Sequence, residues 1–162
     1  MPKSETFLSR ARLVAILLPT ALLGGAIGSQ YIGGLIPCHM CMWQRWPHLA
    51  AIGAALIAIA LRRNQPMSAT FTALAALALA TSGFIGIYHA GVEYKFWEGF
   101  TTCTSDIVPG ADMLDAILKA PIIRCDEAQW TLAGISLAGF NAIFSLSGAA
   151  LTFFLLRRWS KA

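Results

Sequence analysis

The 162-residue chain is 57% hydrophobic and only 12% charged, against about 45–50% and about 25% in ordinary globular domains. So few polar residues cannot cover a water-facing surface, which argues against a soluble fold and for a chain surrounded by lipid. The net charge of +4 gathers on three short segments, as on the inner face of a membrane protein, and nothing in it reads as a nucleic-acid-binding surface.

Four apolar stretches predict an all-α membrane protein, a four-helix transmembrane bundle forming one domain over residues 1–162. The first runs from Leu13 to Leu35, with Pro19 as a kink and Gly24 with Gly28 as a small-residue pair for close helix approach. Lys3, Arg10 and Arg12 precede it as in a secretory leader. The run exceeds the roughly 7–15 apolar residues of such a leader and no A-x-A site follows, so it is read as retained. The second stretch, Trp46 to Leu61, rises only about 24 Å as a helix and must start near the membrane surface, beside the cysteine motif that precedes it. Ala69 to Ala90 and Ile135 to Leu156 are the third and fourth. No internal repeat or low-complexity linker is present.

Eight of the twelve basic residues lie at the N-terminus, at Arg62 and Arg63, and at the C-terminus, which makes those segments cytoplasmic. Residues 91–134 hold seven acidic residues against Lys95, Lys119 and Arg124 and fall outside. The connections at 36–45 and 91–134 are therefore read as periplasmic loops. Within the longer one, Asp112 to Lys119 is a short amphipathic helix bounded by Pro109, Gly110 and Pro121. A second interfacial helix is expected after Asp126, carrying Trp130, Leu132 and Ile135.

All four cysteines share the outer side, where disulfides persist. Cys38-His39-Met40-Cys41 closes a small ring that exchanges readily if one thiol ionises. A following helix start and Arg45, one turn on, both favour the Cys41 thiolate. Half a zinc site is the alternative, with His39 and the other cysteines completing it, but no second Cys-x-x-Cys exists and no metal is assigned. Cys103 and Cys125 are either a structural staple or the outer half of a relay in which one thiolate attacks the next disulfide. Such a relay needs an electron exit. In a chain without haem or nucleotide motifs, a lipid-dissolved quinone is the natural acceptor, with Arg45 stabilising the charge that develops on its oxygen.

Pro37-Cys38 through Arg45, His89 through Glu93, Trp97-Glu98-Gly99 with Cys103, and Cys125-Asp126-Glu127 through Trp130 together resemble the disulfide bond formation protein B (DsbB) family over the whole topology. The resemblance implies a four-helix protein of the bacterial inner membrane, termini cytoplasmic and cysteines periplasmic. It implies oxidation of a thioredoxin-like dithiol oxidase, DsbA, with ubiquinone or menaquinone as the acceptor. It implies that Cys103 forms the mixed disulfide with that partner, that Cys125 attacks the Cys38–Cys41 disulfide at Cys38, and that Cys41 meets the quinone beside Arg45. The chain departs from the common pattern in having Gln44 where a glutamate is often found.

His48 and His89 lie near the outer ends of their spans, where each either hydrogen-bonds a quinone carbonyl or is a polar cap satisfied by backbone. Glu93 is read with them, paired to Arg45 or Lys95 or solvated in the loop. Asn141 reads as an interhelical contact, and the five tryptophans as an aromatic belt, with Trp43 and Trp46 as a second option for a quinone wall. Two rival readings are a reductase like vitamin K epoxide reductase, which usually carries its Cys-x-x-Cys late in the chain, and a non-catalytic membrane scaffold with two structural disulfides.

Overall fold

The long apolar runs form helices because a backbone in lipid must satisfy its own hydrogen bonds. The computed structural model describes residues 3–99 and 124–162. Among these are four helices: α1 (Lys3–Tyr31), α2 (His39–Ala60), α3 (Gln65–Glu93) and α4 (Leu137–Ser160). Three of them, α1 from Glu5 onward, α3 and α4, are long and apolar enough to cross a membrane. α2 is not among them, since Gln44, Arg45 and His48 place polar groups in its first turns.

α1 and α3 each pack against both α2 and α4, so the four helices form a ring. The interior is built from small side chains, such as Ala15, Ala55 and Ala75. Large apolar ones, including Leu17, Leu56, Phe84 and Phe154, face outward. This arrangement suits lipid, which gives Leu and Phe no reason to turn inward and leaves close packing of small residues to hold helices together. Among the described glycines the tightest approach to another helix's backbone is at Gly86, where a Cβ would come within 3.0 Å of the Ala138 carbonyl oxygen and the Ala142 nitrogen. Gly24 and Gly28 do not serve the expected close approach, because a Cβ at either would meet nothing within 4 Å.

The element ends differ from expectation in instructive ways. α1 stops at Tyr31 rather than Leu35, unwinding at Gly33 and at Gly34, whose φ of 68° lies in the left-handed region. α2 begins inside the cysteine motif, so residues 39–45 are helix rather than loop. Asn64 caps α3 by accepting from the Met67 N–H, with proline in the first turn. The helix expected after Asp126 is instead a two-stranded hairpin, pairing Thr131 with Ser136 and Leu132 with Ile135. Ala133 (φ 51°) and Gly134 (φ 78°) form its turn, the backbone geometry that two-residue hairpins favour. Ser136 then caps α4 through the Gly139 N–H. The helix expected at 112–119 lies outside the described residues.

Replacing Gly86 by valine should drive α3 from α4 and destabilise the protein by about 1–3 kcal/mol, read as a lower unfolding temperature in detergent. Gly24→Ala should leave that temperature unchanged.

Candidate active site

Cys38 is the N-cap of α2, with its sulfur accepting the Cys41 backbone N–H at 3.2 Å. One helical turn brings the Cys41 sulfur back to 2.7 Å from it. Cys38 is buried and Cys41 partly buried, and both are free thiols. At that distance the sulfurs share a proton, which splits their acidities. Donation from the Cys38 thiol, the Cys38 backbone and the Arg45 charge together lower the Cys41 pKa, against the cost of burial and the nearby Glu93. Its hydrogen bond to Cys41 and its burial raise that of Cys38 well above the ordinary thiol range.

Two environments meet at this pair. On one side Cys38, Met40, Val92 and Cys125 form a buried cluster against which Cys41 and Tyr88 pack. Cys125 is disulfide-bonded, whereas Cys103 lies outside the described residues. On the other side is a cavity of about 270 Å³ lined by Cys38, Cys41, Arg45, His48, His89 and Glu93, and also by Ala21, Gly25 and Ala26 of α1.

The Arg45 guanidinium donates to Gln30 Oε1 at 2.6 Å and to the Ala26 carbonyl at 3.0 Å. α1, rather than the residue preceding Arg45, therefore orients it. Glu93 pairs with neither Arg45 nor Lys95. Its Oε1 lies 3.7 Å from His89 Nε2, while Lys95 is held by Asp126. Asp126, held by Arg124 and Lys95, stays ionised far below the usual carboxylate range.

His89 sits between the two environments. Gln44 Nε2 donates to the Met40 carbonyl at 3.2 Å and faces His89 Nδ1 at 2.8 Å. Nδ1 therefore accepts and Nε2 carries the proton. The ring hydrogen-bonds the Cys125 backbone, and its Nε2 lies 3.5 Å from the Cys38 sulfur. Cys38, Cys41 and His89 offer donor atoms within 4.8 Å of one another, the donor types zinc prefers. Ligation would need a lone pair on Nε2, and the Gln44 amide holds the opposite tautomer, so this arrangement suits thiol exchange better than a metal.

The polar groups inside the helix ring were only partly anticipated. Asn141 links α4 to Gln44 of α2 and Ser82 of α3, and His48 joins the same network. The available signal was spacing: Gln44 with His48, and Asn141 with Ser145, stand four apart on single helix faces in otherwise apolar runs.

The family model described as disulfide bond formation protein DsbB matches residues 9–155. The chain belongs to the DsbB family. It is 30% identical over 145 residues to disulfide bond formation protein B of Verminephrobacter eiseniae, covering 85% of this chain and 80% of that one. It is 29% identical over 157 residues to the protein of that name from Methylococcus capsulatus, covering 91% and 92%. An uncharacterized protein of Rickettsia prowazekii is 25% identical over 139 residues, covering 83% and 79%. No solved structure matches the chain. DsbB membership makes this protein an oxidoreductase of disulfide bond formation, and its three long apolar helices accord with a membrane protein.

In the reduced DsbB-family protein, alkylation of Cys41 should reach half its maximal rate at a pH below that of an ordinary thiol. Removing the hydrogen bond with Cys38→Ala should move that midpoint upward, because the Cys41 thiolate loses its donor. The measurement is iodoacetamide labelling against pH, with Cys41 followed by mass spectrometry.

Proposed function

We propose that this protein oxidises the dithiol of a periplasmic DsbA-like partner and passes the electrons to ubiquinone or menaquinone in the bacterial inner membrane. The observation that carries this reading is the position of Cys38 and Cys41 between the Cys125 cluster and a cavity holding Arg45, His48, His89 and Glu93. In this reading all four helices cross the membrane, both termini are cytoplasmic, and residues 91–134 face the periplasm, as the charge distribution supports.

The partner's thiolate attacks Cys103, forming the intermolecular disulfide and releasing Cys125. The Cys125 thiolate attacks Cys38, breaking the Cys38–Cys41 bond and freeing Cys41 on the cavity side. Each exchange conserves one disulfide. The partner's second thiolate then breaks the mixed disulfide and leaves oxidised, and the freed Cys103 thiolate reclaims Cys125 from Cys38, so that Cys38 and Cys41 end as the reduced pair. Closing their disulfide again releases two electrons and two protons, which a bound quinone would take up.

The residues fit such a group, because Arg45 Nε, His48 Nδ1 and Glu93 Oε2 are buried without hydrogen-bond partners among the described residues. Buried polar atoms are rarely left so unless a ligand or water completes them. Arg45, which lines the cavity, would supply fixed positive charge to a bound acceptor. His89, held by Gln44, places an N–H beside Cys38 and the Cys125 backbone, where the sulfur exchange takes place.

The test is quinone absorbance in detergent on mixing the purified protein with a reduced DsbA-like protein. Quinone loss is expected with wild type and not with Cys103→Ser or Cys41→Ser; full turnover in either variant would overturn the relay. Arg45→Ala should raise the apparent KM for quinone roughly tenfold or more, the worth of a charged hydrogen bond, without changing the partner's KM.

A further inference from the structure

The hydrogen bonds that set the His89 tautomer continue to a second imidazole deeper in the helix ring. The Met40 carbonyl only accepts, so Gln44 turns Nε2 toward it and leaves Oε1 facing Asn141. Asn141 Nδ2 donates to that oxygen at 2.7 Å and to the Ser82 carbonyl at 3.2 Å. Asn141 Oδ1 is thereby directed at His48 Nε2, 2.9 Å away. The Ser82 hydroxyl, 3.0 Å from the same nitrogen, spends its proton on the Gln44 main-chain carbonyl at 2.9 Å. Both neighbours of Nε2 are acceptors, so Nε2 carries the proton. In a neutral ring Nδ1 is then a bare lone pair. His48 is 3% exposed, its Nδ1 has no hydrogen-bond partner among the described residues, and the residue lines the cavity with Cys41 and Arg45.

This lone pair matters for the quinone reading, on which the inference rests. A quinone oxygen can only accept and is repelled by a lone pair, whereas a hydroquinone hydroxyl can donate to it. We infer that His48 Nδ1 is a hydroxyl-accepting subsite that favours the reduced acceptor over the oxidised one, with Gln44 and Asn141 as positioning residues that hold the required tautomer. Tighter binding of the reduced form makes the bound acceptor a stronger oxidant. A tenfold preference raises a two-electron potential by about 30 mV.

The experiment uses the full chain in detergent with ¹⁵N-labelled histidine, its three histidines assigned by His48→Gln. His48 should show a non-protonated Nδ1 whose resonance moves on adding a short-chain hydroquinone and not on adding the matching quinone. A protonated Nδ1, or equal responses to both ligands, would overturn the subsite. Tryptophan-fluorescence titrations should give a hydroquinone-to-quinone affinity ratio that falls roughly tenfold in Asn141→Leu. Asn141→Asp, which keeps an oxygen on Nε2, should retain both tautomer and ratio. An unchanged ratio in Asn141→Leu would overturn the positioning role. The wild-type spectra decide the subsite even if the leucine variant does not fold. Binding of both ligands without the Nδ1 response would sink this inference alone, whereas binding of neither would sink the quinone reading with it.

Discussion

A main-chain carbonyl cannot donate, and the Met40 carbonyl passes that constraint through the whole interior. Gln44 must meet it with an amide N–H, and that orientation fixes what His89 and Asn141 receive. In water each of these groups could turn to a solvent molecule. Inside a helix ring they cannot, so one acceptor atom sets the proton positions of two imidazoles on opposite sides of Gln44. Polar networks of this kind are costly to leave half satisfied, and here the unsatisfied atoms concentrate at the cavity.

The cysteine pair draws its chemistry from the same local geometry. A helix that starts at His39 makes Cys38 its cap and returns Cys41 to it after one turn. That single turn lowers the pKa of one thiol and raises that of the other while leaving both between the buried cluster and the cavity. The cluster with Cys125 is buried on one side of the pair, and both cysteines line the cavity on the other.

The helices and the cysteine motif were legible in sequence because both are local signals. Apolar run length declares a helix in lipid, and Cys-x-x-Cys is a spacing. Element ends were less legible where glycines at 33 and 34 or the Ala133–Gly134 turn decided them, since a short apolar segment such as Thr131 to Ser136 suits a hairpin as well as a helix turn. The polar network was hidden for another reason. Gln44 meets partners 45 and 97 positions away, and no pattern along one chain pairs them. The tether of Arg45 to Gln30 was likewise invisible, although both residues stood in view.

Ala21, Gly25 and Ala26 of α1 form part of the cavity wall, and a Cβ at Gly25 would meet nothing within 4 Å. The thiols and this part of the cavity wall therefore reside on different helices. Substitutions along one face of α1 can resize the compartment without touching a cysteine or its hydrogen bonds.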